Sequence, residues 1–95
     1  MNVFIGSGRV SNMRLARNGE ILRFLLVVNE GDEKSRNEVP CMIFNPSPEI
    51  KGLLTKEPVI ELQGRVRSYS FEIAGEKATR TEIIVNPKSL RDLDS

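Results

Sequence analysis

The sequence of 95 residues predicts an all-β fold: a five-stranded barrel closed on itself, with one short helix between strands 3 and 4. Two observations predict the strands. Residues 59–71 (VIELQGRVRSYSF) alternate strictly between an apolar and a polar set, the period of a half-buried strand. Four further stretches are rich in β-branched and aromatic residues and are bounded by turn signals. The third observation concerns the helix, since only residues 45–56 combine helical spacing with capping residues. An antiparallel sheet this small removes its edges by closing into a barrel.

The elements follow in chain order. Residues 2–10 (NVFIGSGRV) form the first strand, and Gly6 and Gly8 around Ser7 mark a bend or bulge where it turns a corner. Residues 11–18 read as a polar, basic connection, and Asn18-Gly19 as a turn, because both tolerate positive φ. Residues 20–30 (EILRFLLVVNE) are apolar on both strand faces: Leu22, Phe24, Leu26 and Val28 on one, Ile21, Leu25 and Val27 around Arg23 on the other. A strand of this kind lies between two packed layers, and a subunit contact would supply the second.

Residues 31–37 read as a polar, solvated loop. Residues 38–44 (EVPCMIF) are the third strand, with Val39, Cys41 and Ile43 inward; Pro40 points to an edge, a bulge or a strand start. In residues 45–56, Ser47 caps the helix, Pro48 suits its first position and Glu49 its dipole, while Ile50, Leu53 and Leu54 make one apolar stripe. Pro58 ends it. The alternating strand follows, then a turn around Gly75 (residues 73–77), a last strand over residues 78–85, and a short polar tail over residues 88–95. All of this makes one domain, residues 1–95.

Composition narrows the function. With no His and one Cys, Ser–His and Cys–His pairs, zinc patterns and phosphate loops are absent, so no enzyme, catalytic residue, metal or cofactor is expected. Net charge is +1, so any attraction for a polyanion must come from local segregation of charge. No apolar run is long enough for a membrane span, and no signal peptide opens the chain, so a cytoplasmic protein is expected.

Charge does segregate on the alternating strand. Its outer set is Glu61, Gln63, Arg65, Arg67, Tyr69 and Phe71. Guanidinium groups pair with phosphates and aromatic rings stack on bases of any identity, which makes this row a platform for single-stranded nucleic acid. The bland alternative is that the two rings pack on a neighbouring strand or subunit and the arginines are solvated.

Several short motifs, in order along the chain, resemble the bacterial single-stranded DNA-binding protein (SSB) family. Gly8-Arg9-Val10 is similar to that family's Gly-Arg-Leu, and Asn18-Gly19 to the loop before its second strand. Phe24, Leu26, Val28 and Asn29 follow a Phe-x-Leu-x-Val-Asn pattern, and Pro40-Cys41 with Phe44 a Pro-Cys-x-x-Phe pattern. Gly64-Arg65-Val66 and residues 81–85 (TEIIV) complete the resemblance. It implies an oligonucleotide-binding (OB) fold whose outer face on strands 3 and 4 stacks bases, with Phe44 at a stacking position and Tyr69 near another.

The departures are Glu38, Glu30, the lack of Trp, and the lack of a long acidic-tipped tail after Ser95. They point toward the tailless primosomal replication protein B (PriB) relatives, or toward a piece of a longer member. The expected function is sequence-nonspecific binding of single-stranded DNA in replication, repair or primosome restart. The expected platform is Phe44, Arg65, Arg67, Tyr69 and Phe71, with Arg9, Arg14, Arg17, Lys77 and Arg80 as phosphate contacts. The alternative is an OB-fold protein-interaction module of the replication machinery. Expected partners are single-stranded DNA, a second copy (homodimer or homotetramer, through residues 21–28) and replication or restart proteins. Association with the nucleoid follows from the DNA reading.

Overall fold

The computed structural model describes residues 2–29 and 36–94. Strand β1 spans Phe4–Ala16, β2 Ile21–Asn29, β3 Arg36–Phe44, helix α1 Pro48–Thr55, β4 Val59–Ile73, β5 Glu76–Val85 and a short β6 Arg91–Asp92. The strands pair in the order β1-β2-β3-β5-β4, and β4 pairs back onto β1, so five strands form a closed ring. Every pairing in the ring is antiparallel except β3 with β5. This is the expected all-β OB barrel with its one helix between β3 and β4. Its interior holds Val10, Leu22, Phe24, Leu26, Cys41, Ile43, Leu54, Ile60, Leu62, Ile83 and Val85.

The first strand departs most from the sequence reading. It continues through the stretch expected to be a basic connection. The reason is a β-bulge: the register with β2 slips between Ser11 and Arg14, and Asn12 has φ of 53°. Asn tolerates this left-handed conformation better than most residues. One extra residue reverses which side chains face inward. Val10 and Met13 therefore both pack on the core, while Arg14 stands opposite Arg23 on the outer face. The bulge thus lies at Asn12, while the strand passes from β4 to β2 at Arg9, directly after Gly8. Gly8 serves a different need: a Cβ there would be driven into the Val27 carbonyl. The turn at Asn18-Gly19 is a single 3-10 turn over Arg17–Gly19, with positive φ at all three residues.

The β2–β3 connection falls mostly outside the described residues, but β3 begins at Arg36, two residues before the expected start. Pro40 sits opposite Leu25 of β2, on the stretch of β3 that precedes its pairing with β5 at Cys41. A missing N–H is harmless on that unpaired side. Helix α1 forms as its caps dictate: the Ile50 amide donates to Ser47 Oγ at 3.2 Å, and Leu54 is fully buried.

Strand β4 is longer than expected and divides at Gly64. Before it, Ile60 and Leu62 are fully buried; after it, Val66, expected inward, is 39% exposed. The reason is that β4 pairs with β1 only up to Gly64 and with β5 from Gly64 to Ile73. Beyond the barrel, β4 and β5 continue as a two-stranded ribbon, closed by a tight Ala74-Gly75 turn with φ of 53° and 81°. Two-residue turns with positive φ match the twist of a hairpin.

The C-terminal segment is not a free polar tail. It lies along the edge of β4 that β5 leaves vacant. Ser89 Oγ accepts from the Gln63 amide and donates to its carbonyl, Asp92 and Arg91 pair with Ile60 and Glu61, and Asp94 accepts from the Val59 amide at 3.0 Å. On the other edge, the Asn2 side chain extends the β1 ladder by bonding both backbone groups of Val66, at 2.7 and 2.8 Å. Both edges of the first half of β4 are thereby covered.

Cys41 is plain core, as expected. It is 1% exposed, and burial, then the charge of Glu82, push its thiol from 9.0 up to about 12, against a hydrogen bond at Leu26 that lowers it. The folded value lies above the unfolded one, so the neutral thiol's contribution is complete below pH 9 and is lost as pH rises toward about 12. In that window the chain is expected to lose about 1.4 kcal/mol of stability per pH unit from this group. Urea melts at pH 8 and 10.5, beside a Cys41→Ala variant, check it; an equal alkaline loss in both proteins would remove the claim.

Candidate nucleic-acid interface

The candidate surface is the outer face of the barrel where β2, β3, β5 and β4 lie side by side. Alternation selects which side chains reach it. From β2 come Ile21 and Arg23; from β3, Met42 and Phe44, opposite them in register. From β5 come Arg80, Glu82 and Ile84; from β4, their cross-strand partners Tyr69, Arg67 and Arg65. Ile21, Met42 and Ile84 pack together as a small buried cluster, distinct from the barrel core. This cluster is the floor of the surface. It also accounts for Ile21, one residue of the apolar second face of β2, within the chain.

Above that floor the aromatic and basic groups converge. Arg17, Arg67, Phe44 and Tyr69 line one open concavity together with Ile21, Arg23, Met42 and Glu82. Phe44 is 43% exposed. Tyr69 is half-buried and held on two sides: the Arg67 guanidinium lies over its ring at 5.3 Å, and Phe71 packs beside it with ring centroids 6.1 Å apart. Across the ribbon, a hydrogen bond with Tyr69 holds the Arg80 guanidinium further above its ordinary value. A tyrosine ring framed in this way offers a flat aromatic plate, suited to stacking against a base.

A second, more enclosed concavity adjoins the first. Arg14, Arg23, Arg80 and Glu82 line it, with Leu25 and Pro40 below. Glu82 is the buried charge of the surface, 3% exposed, and its Oε1 meets no hydrogen-bond donor. Arg23 Nε is likewise buried without an acceptor.

Eight of the ten residues singled out from the sequence thus share one face. Phe44, Arg67, Tyr69 and Arg17 line the open concavity, Arg14 and Arg80 the enclosed one, and Phe71 flanks Tyr69. Arg65 lies on the same face in a neighbouring depression, beside Val3 and Ile84. Arg9 and Lys77 stand apart. Arg9 donates to the Glu57 carbonyl at 3.0 Å and pairs with Asp94 at 3.8 Å, away from the aromatics. Lys77 pairs in register with Glu72, on the other face of the ribbon tip. Sequence reasoning passed over Arg23 and Glu82. The signal for Arg23 was its interruption of an otherwise apolar set; for Glu82 it was an acid in an outward row with Arg80.

Among the described residues, no group of three His, Cys, Asp or Glu side chains could hold a metal ion, and no helix is long and apolar enough to cross a membrane.

No protein-family model and no curated protein sequence matches the chain. Solved structures do. The SSB of Plasmodium falciparum, in complex with ssDNA, superposes with a TM-score of 0.71 at 19% identity, covering 99% of this chain and 96% of its own. Rim1, a mitochondrial single-stranded DNA binding protein of S. cerevisiae, matches with a TM-score of 0.71 at 16% identity, over 96% and 93% of the two chains. A small single-stranded DNA binding protein from Mycoplasma pneumoniae matches with a TM-score of 0.67 at 10% identity, over 100% and 97%. The chain therefore shares, over nearly its whole length, the fold of these three proteins: a five-stranded OB barrel with one helix between β3 and β4.

Proposed function

We propose that this chain binds single-stranded DNA, with little preference for sequence, in replication, repair or restart. One observation carries the reading: the aromatics Phe44, Tyr69 and Phe71 and the arginines 14, 17, 23, 65, 67 and 80 occupy a single face of the barrel. The rings stack on bases while the guanidinium groups meet phosphates on either side. The fold shared with an SSB solved in complex with ssDNA supports it. Net charge near neutrality is no obstacle, because the field is local.

The reading is tested by fluorescence anisotropy of labelled oligo-dT across a salt series. Neutralising about four phosphates is expected to give a log–log slope near −3. An affinity that does not change with salt would contradict it.

A second reading, a protein-interaction module, is favoured by one feature. Val3, just before β1, and Ile5 within it are 54% and 65% exposed, and among the described residues β1 pairs with β2 only from Arg9 onward. An apolar strand whose second edge is unpaired among the described residues is a template for another strand. A second copy is the simplest occupant, giving a homodimer or homotetramer through β1 beside the contact expected at residues 21–28. Replication or restart proteins are the other candidates, whether the chain coats strands or acts as a PriB-like accessory at the nucleoid.

A further inference from the structure

We propose that Glu82 and Arg23 take the Watson–Crick edge of a base held on the platform, so that the surface grips an unpaired base by its edge as well as its face. This rests on the reading that the surface binds single-stranded DNA. It begins from two unmet groups: Glu82 Oε1, an acceptor without a donor, and Arg23 Nε, a donor without an acceptor. Both are buried, both line the concavity beneath Phe44 and Tyr69, and both line the adjoining one with Arg14 and Arg80. They come from β2 and β5, on either side of Met42 and Pro40 of β3. Leaving such groups unpaired costs stability, so a ligand that satisfies both gains what the empty surface lacks.

The chemistry of the pair selects the ligand. A phosphate would suit the arginines but would face the Glu82 carboxylate, which only accepts hydrogen bonds when ionised. An apolar side chain would leave both groups unmet. A nucleobase edge carries an N–H donor directly beside an acceptor: N3–H and O4 in thymine, N1–H and O6 in guanine, the exocyclic amine and a ring nitrogen in cytosine and adenine. All four bases satisfy the pair when unpaired. None does so in a duplex, where this edge is already bonded to the opposite strand. The pair thus favours single strands over duplex without reading sequence. The sequence shows no base-edge reading set, because the two members lie far apart along the chain and meet only through the barrel.

The test uses the full chain and two labelled oligonucleotides of equal length, oligo-dT and the same strand with every thymine methylated at N3. The methyl group removes the N–H donor and keeps the ring face, sugar and phosphates. The unmodified strand is expected to bind roughly tenfold more tightly, the scale of one hydrogen bond to a charged group. In Glu82→Ala the ratio is expected to fall to about one, and Glu82→Leu, which also removes the acceptor but fills the buried site, serves the same purpose if melts show that Glu82→Ala does not fold. Equal binding of both strands by the unaltered protein, with oligo-dT still bound in a salt-sensitive way, overturns edge recognition and leaves strand binding standing. The same loss on methylation in a folded Glu82→Ala protein also overturns it, as simple crowding. Absence of oligo-dT binding at low salt removes both readings.

Discussion

Tyr69→Ala is expected to weaken oligo-dT binding between roughly fivefold and a hundredfold. The range follows from the worth of one base–aromatic stack, about 1–3 kcal/mol, converted at 1.4 kcal/mol per tenfold. Tyr69 is placed to supply it. Its ring is framed by Arg67 at 5.3 Å and by Phe71 at a centroid distance of 6.1 Å, and it stands opposite Arg80 across the ribbon. Removing the ring also removes the surface on which the Arg67 guanidinium rests, so a phosphate contact is loosened with the stack. Tyr69→Phe keeps the plate and is expected to lose far less. Anisotropy titration at low salt separates the two variants, with thermal melts to confirm folding. A Tyr69→Ala protein binding within twofold of the unaltered chain, with the same salt slope, would place the strand elsewhere.

Gly64→Ala is expected to cost about 3 kcal/mol of folding stability, the upper part of the range for overpacking a well-filled site. Gly64 pairs with Phe4 of β1 on one edge and Val85 of β5 on the other, where the ring closes. An added Cβ would press into the Ile84 carbonyl and would come within 2.8 Å of the Ile83 side chain. Backbone on both sides cannot yield without opening the barrel. For a domain of this length the loss corresponds to roughly 12–24 °C in Tm. Gly52→Ala is the matched control: nothing lies within 4 Å of the Cβ it would add. Helix propensity then makes it stabilising by about 0.5–1 kcal/mol. Urea melts of the two variants check the contrast, and a Gly64→Ala loss below 1 kcal/mol would mean that the crossing is looser than it stands here.

Features set by neighbouring residues were legible in the sequence, and features set by distant ones were not. The alternation of residues 59–71 and the Ser47-Pro48-Glu49 cap are local, and both strand and helix formed where those signals lay. The Asn12 bulge was illegible because one inserted residue scrambles the period that would have revealed the strand: Met13 and Arg14 read as connection once the count of two is broken. The attachment of the C-terminal segment depends on β5 leaving β4 at Gly64, a fact of topology. Arg9 shows the same limit, since Asp94, which claims it, arrives only through that attachment. The shared face of Phe44, Tyr69 and Phe71 was legible because these rings alternate with the core residues of their strands. Glu82 was not, because whether an acid is solvated or buried is decided by the three strands around it.

The ribbon carries one more consequence. From Arg67 to Glu82, β4 and β5 pair with each other, whereas β2 is paired on both sides and roots in the core. Opening the ribbon exposes little apolar surface, so its free energy of local opening lies well below that of the barrel. Half of the platform therefore stands on the barrel, through Phe44 and Arg23, and half on an arm expected to open more readily. A strand that engages both halves must first still the arm. Part of its intrinsic affinity is spent in that ordering, and a second strand reaching an arm already held is relieved of the cost.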